Sequence, residues 1–314
     1  MTDMTSASPA GRAPAGTLQE VADGVFAFVQ PPGGWCVSNA GIVLGGTGAV
    51  VIDTLATESR ARHLRDTVER LAPGPARTVV NTHSHGDHVF GNHLYGASAA
   101  IVAHDGAREE MLSTGLALTQ LWPDVAWGDV RVTPPTVTFS DRLCLHVGET
   151  PVELLSVGPA HTRHDVVVWL PRQRVLFAGD VVMSAATPFC LFGSVAGTLA
   201  AIRRLAALRP RTVVAGHGPV AGPEVFEANA AYLRWIQHLA TRARAGGLDP
   251  LAVACTADLG RFAGLLDPER IVGNLHRALA EPVPDDSAAS VLDVGEVFEQ
   301  MVAYNGGRLP TCLA

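Results

Sequence analysis

Lysine is absent from this 314-residue chain; all 23 basic side chains are arginine. That removes Schiff-base catalysis and any lysine anchor for a substrate carboxylate. The arginines never run beyond the pair Arg203 and Arg204, and the formal net charge is -7. Nucleic-acid binding needs a basic stripe, so nucleic acid is not expected as a partner. No apolar run approaches a membrane span, so no membrane partner is expected either. Residues 1–18 are small, polar and proline-containing, with no apolar stretch of secretory length, and are expected to form a disordered arm. The five cysteines (Cys36, Cys144, Cys190, Cys255, Cys312) are odd in number and lack CxxC spacing. A disulfide framework does not fit that pattern; reduced, mostly buried thiols in a cytoplasmic protein do.

What is present is apolar material in short pieces. Hydrophobic residues make up 47% of the chain, enough for one large domain or one domain with an appendage. The runs 24–30, 40–46 and 49–55 are separated by glycine-rich turns, the pattern of adjacent strands. A helix period follows over 57–72, and 76–83 reads as a strand ending at a histidine cluster. Four more strand-like segments precede a helix at 195–208 and a last strand and loop at 212–218. From Pro223 the pattern turns helical. Asp249-Pro250 and Asp267-Pro268 are expected to cap helices, one of them over 268–280, and a last helix is expected near 290–304 with Val291 in its stripe. The expected organisation is an arm (1–18), a catalytic domain (19–235) and a helical C-terminal extension (236–314).

The histidine cluster "NTHSHGDH" (81–88) sets three imidazoles and a carboxylate into one loop. His83 and His85 are two apart where the chain leaves a sheet, so both can turn to one point. Asp87 and His88 follow and can serve a second point. Zinc prefers imidazole nitrogen and carboxylate oxygen, and two metals can share one hydroxide. One loop cannot fill two coordination shells, so further ligands are expected at other strand ends. His161 in "GPAHTRHD", Asp180 in "LFAGD" and His217 in "AGHG" qualify.

Over residues 20 to 235 the chain resembles the metallo-β-lactamase-fold hydrolases. Five ordered motifs carry the likeness: "VVIDT", "THSHGDH", "GPAHTRHD", "LFAGD" and "AGHGP". The resemblance implies an α/β fold, an αβ/βα four-layer sandwich, in keeping with the two β-rich halves. It also implies that His83, His85 and His161 hold one metal, that Asp87, His88 and His217 hold the other, and that Asp180 bridges them. Asp53 is then expected beneath the site, orienting the HxHxDH loop. The implied cofactor is two zinc ions, with iron or manganese as other ions the set accepts. Asp87 is expected to orient the hydroxide and pass its proton on.

A bridging aspartate resembles the glyoxalase II-like thioesterases, lactonases and phosphodiesterases of that family rather than true metallo-β-lactamases. Hydrolysis of an ester, thioester or lactone is therefore expected. Trp35, Trp122, Phe189 and Phe192, with the apolar stretch 108–139, are expected to shape a pocket for an apolar or aromatic small molecule. In 108–139 the alternative is a leucine core with only the tryptophans partly exposed. Two other chemistries share the motifs: a polyketide thioesterase or cyclase using the same metal pair, and a mononuclear-iron persulfide dioxygenase. The extension is expected to cover the pocket or to build a homodimer interface.

Overall fold

The computed structural model describes residues 16–46, 48–282 and 292–314. The first β-rich half forms a seven-stranded sheet in chain order: β1 (Thr17–Ala22), β2 (Val25–Val29), β3 (Ala40–Gly45), β4 (Gly48–Ile52), β5 (Ala76–Val80), β6 (Ala100–His104) and β7 (Val137–Phe139). Strands β1 to β4 form an antiparallel meander. From β4 to β7 the pairing is parallel, which needs crossovers. Helices α1 (Glu58–Leu71), α2 (Gly86–Val89), α3 (Asp105–Thr114) and α4 (Ala117–Leu121) lie in them.

The second half forms a five-stranded sheet from β8 (Arg142–Val147), β9 (Thr150–Ser156), β10 (Val166–Leu170), β11 (Val175–Gly179) and β12 (Thr212–Ala215). Its first four strands are antiparallel, and β12 joins β11 in parallel after α5 (Val195–Ala207). Among the described residues four α-helices follow: α6 (Glu224–Gly246), α7 (Pro250–Thr256), α8 (Arg270–Ala280) and α9 (Val294–Tyr304).

The two sheets pack face to face. Val25, Val43, Ile52 and Val80 of the first meet Val152, Leu154, Val168 and Phe177 of the second. The first sheet's outer face is covered by α1 through Leu64 and Val68, and the second's by α5, α6 and α8. This is a four-layer αβ/βα sandwich. Strands β10 and β11 are buried at every position, which is why they read as unbroken apolar runs. No helix among the described residues is long and apolar enough to cross a membrane.

Capping explains most helix starts. Thr57, Ser194 and Asp249 each accept a backbone N–H from the first turn, with Pro250 following Asp249 as expected. Asp267 does otherwise: it sits at φ +56 and pairs with Arg270, so the helix starts at Arg270 after Glu269. Strand β1 begins at Thr17, inside the stretch read as an arm, because its backbone pairs with β2; residues 1–15 lie outside the described residues, as does Val291. The border drawn at 235/236 falls inside the 23-residue helix α6, which runs unbroken across it. Of the thiols, Cys36 and Cys190 are buried, while Cys144 and Cys255 are exposed, so fewer are shielded than expected.

Candidate metal centre

All seven candidate side chains leave the ends of strands at one rim of the sandwich. His83, His85, Asp87 and His88 follow β5, His161 lies between β9 and β10, Asp180 follows β11, and His217 follows β12. The ligand atoms of His83, His85, His161 and Asp180 lie within 4.8 Å of one another, as do those of Asp87, His88 and His217. Asp180 reaches both groups. Its Oδ1 is 3.2 Å from His88 Nε2, and its Oδ2 is 3.4 Å from His161 Nε2 and 3.5 Å from His217 Nε2.

Hydrogen bonds fix which nitrogen faces inward in four of the rings. Asp53 accepts from the Thr82 amide at 2.8 Å, from the Thr82 hydroxyl at 2.8 Å and from His88 Nδ1 at 2.8 Å. Since the Thr82 hydroxyl spends its proton on Asp53, His83 Nδ1, 3.0 Å away, must donate to that oxygen. His161 Nδ1 donates to the Phe189 carbonyl at 2.6 Å and His217 Nδ1 to the Gly34 carbonyl at 3.0 Å. Four imidazoles thus turn Nε2 inward, and that is the nitrogen a cation would take.

The donor set fits a metal pair. His83 Nε2, His88 Nε2 and Asp180 Oδ1 are buried and lack a hydrogen bond, the 3.2 Å approach of the last two being out of hydrogen-bond geometry. His161 Nε2 accepts from His85 Nδ1 at 2.8 Å, a bond between two rings of the group that a cation would replace. Buried polar atoms left without partners at this density are costly, and a cation would satisfy them.

Electrostatics divide the groups. Burial pushes His83 and His85 below the ordinary histidine range, and His161 to about 4 against the pull of Asp180. Burial also opposes the charge on His217, but Asp180 and Asp87 outweigh it and raise that ring to about 9. Asp180, Asp87 and Asp53 likewise raise His88 despite its burial. Burial would raise Asp87, yet His88 and His217 hold it at about 2. At pH 7 the metal-free chain therefore has a neutral group and a protonated one.

Several supporting groups were not read from the sequence. Ser38 Oγ donates to the Asp87 carbonyl at 2.6 Å, steadying the loop from β3's side. Gly216 must be glycine because a Cβ there would overlap Asp180 Oδ1. The carbonyls of Gly34 and Phe189 leave no mark on side-chain chemistry. Asp165 closes the turn that carries His161, accepting from the Ala160 and Thr162 amides.

The aromatic residues separate by depth. Phe192 is 40% exposed and stands edge-on to His85 at 5.1 Å. Phe189 and Trp122 are buried, and Trp122 donates Nε1–H to the Pro310 carbonyl at 2.7 Å. Trp35 stacks between them, 5.2 Å from Phe189 and 5.7 Å from Trp122. In 108–139 the leucine-core reading holds in part: Leu116 and Leu118 pack against the cluster that buries Met111, while Leu112 and Leu121 face solvent. Trp122 and Trp127 are buried in that cluster rather than partly exposed, Trp127 against Phe90 and Trp122 beside Pro310.

The metallo-beta-lactamase superfamily family model matches residues 33–217. This chain belongs to that superfamily. A 2,4-dinitroanisole O-demethylase subunit alpha from Nocardioides sp. (strain JS1661) is 27% identical over 175 residues, 55% of this chain and 46% of that protein. A metallo-beta-lactamase type 2 from Bacillus sp. (strain 170) is 31% identical over 153 residues, 48% of this chain and 54% of that one. The matches thus span about half the length of these two relatives. Among solved structures, a metallo-beta-lactamase from Pontibacter korlensis superposes with a TM-score of 0.57 at 22% identity, over 69% of this chain and 98% of its own. That likeness concerns the fold.

Proposed function

We propose that this superfamily member is a binuclear zinc hydrolase that opens an ester, thioester or lactone of an apolar or aromatic small molecule. The observation that carries the reading is Asp180, whose two oxygens reach toward histidines of both ligand groups amid unsatisfied buried acceptors. The ligand set is of the glyoxalase II and lactonase kind. Zinc ions held by His83, His85, His161 and Asp180 and by Asp87, His88 and His217 would supply an acidic water and an electrophile for the carbonyl.

The chain's own residues do the rest. Asp87, kept ionised by His88 and His217, can accept a hydrogen bond from a nucleophilic water and orient it. His85 and Phe192 form the open side, where an acyl or aromatic group can rest on the ring. The 2,4-dinitroanisole of one relative's name is an aromatic ether, which supports an aromatic substrate.

Metal analysis of the purified protein, coupled to a panel of aryl esters, thioesters, lactones, an aryl methyl ether and β-lactams, tests the reading. About two zinc ions per chain and turnover of a carbonyl ester class are expected. Asp87→Ala should cut turnover by about 100-fold or more with the fold intact. Retained turnover in that variant, or one iron per chain with oxygen uptake on glutathione persulfide, overturns it.

A further inference from the structure

His217 and His161, one from each ligand group, are aimed by backbone carbonyls rather than by side chains. Gly34 offers its carbonyl from the loop between β2 and β3, Phe189 from the loop between β11 and α5. Both loops rest on the start of α8. The Arg270 guanidinium lies 4.2 Å from the Trp35 ring centre and 5.8 Å from that of Phe189. Its Nη1 donates to the Thr187 carbonyl at 3.0 Å, and its Nη2 pairs with Asp267 at 2.9 Å. Glu269 accepts from Trp35 Nε1 at 2.6 Å.

The rest of α8 continues the pattern at i+4 and i+7. Asn274 binds the Cys190 amide and the Pro188 carbonyl, and Arg277 binds the Leu191 carbonyl. The segment entering the helix bridges the same loop at Ala186 and Leu266. One helix of the C-terminal part therefore templates the loop that presents Phe189. A guanidinium only 2% exposed is expensive, and an apolar side chain of similar volume would fill the space at lower cost. What methionine could not supply is a planar charge that holds two rings and a carbonyl at once.

We propose that Arg270 is a positioning residue for both metal-binding groups. By holding Trp35 and Phe189 it fixes the neighbouring Gly34 and Phe189 carbonyls, and through them the His217 and His161 rings. The inference rests on the metal-binding reading of the site.

Cobalt(II) titration of the metal-free protein, followed by visible absorption, tests it beside thermal melting without metal. Arg270→Lys keeps the charge and loses the planar fork. Its cobalt affinity should fall about 10- to 100-fold at both groups, with a shifted visible band. Trp35→Phe shrinks the ring that Arg270 holds, loses the bond to Glu269 and leaves space beside Trp122. About a 10-fold loss confined to the His217 group is expected there. If wild type binds two cobalt ions and both variants match it in affinity and spectrum, whatever their melting temperatures, the positioning role is wrong. Should Arg270→Lys not fold, unchanged affinity at the His217 group in Trp35→Phe overturns it. Failure of wild type to bind cobalt removes the metal-site reading and this inference with it.

Discussion

His88 Nδ1 and Asp53 Oδ2 lie 2.8 Å apart, with both side chains closed off from solvent. Asp53 holds φ +59, a conformation that asparagine also tolerates, so Asp53→Asn keeps the backbone and the shape. The variant offers one acceptor oxygen where three donors converge. Zinc affinity at the His88 group should fall about 10- to 100-fold, with a smaller effect at the three-histidine group. Equilibrium dialysis against graded zinc buffers reads both steps.

Loading should depend on pH in one direction. His217, raised to about 9, is protonated at pH 7 in the metal-free chain, whereas His161, lowered to about 4, is not. A cation entering the His217 group must displace that proton and the one on His88, so apparent affinity there should rise with pH, roughly tenfold per unit for each proton still bound. The three-histidine group carries no proton to displace at pH 7 and should fill first. Calorimetric titration in two buffers of different ionisation enthalpy counts the protons released at each step.

Phe192 is the exposed ring at the metal rim, and its removal tests the substrate side of the proposal. An aromatic contact contributes about 0.5–1.5 kcal/mol, so Phe192→Ala should raise KM for an aryl substrate roughly 2- to 10-fold with kcat little changed. Stability should move by about 1 kcal/mol or less, since the ring is largely outside the core. Steady-state kinetics on paired aryl and alkyl esters separates the two effects.

The sheets and the seven candidate ligands were legible in the sequence for a local reason. Buried strands write unbroken apolar runs, and HxHxDH gathers scarce residue types in one short loop. His161, Asp180 and His217 stood out because each follows such a run directly. Arg270, Asn274 and Arg277 did not. Their spacing along α8 reads as a solvated face, and only the tertiary fold brings that face against a loop with unpaired carbonyls. Trp122 misled for the same reason: what covers it is Pro310, 188 positions away in the chain. Asp267 looked like a helix cap until its pairing with Arg270 was seen.

Helix α6 has a practical corollary. Its buried side chains run from Val225 to Ala243 against a shared apolar layer, with Leu233 on one side of residue 235 and Ile236 on the other. A shortened product ending at 235 would keep half a rod and wet the flank of the second sheet, and it is expected to melt well below the full chain.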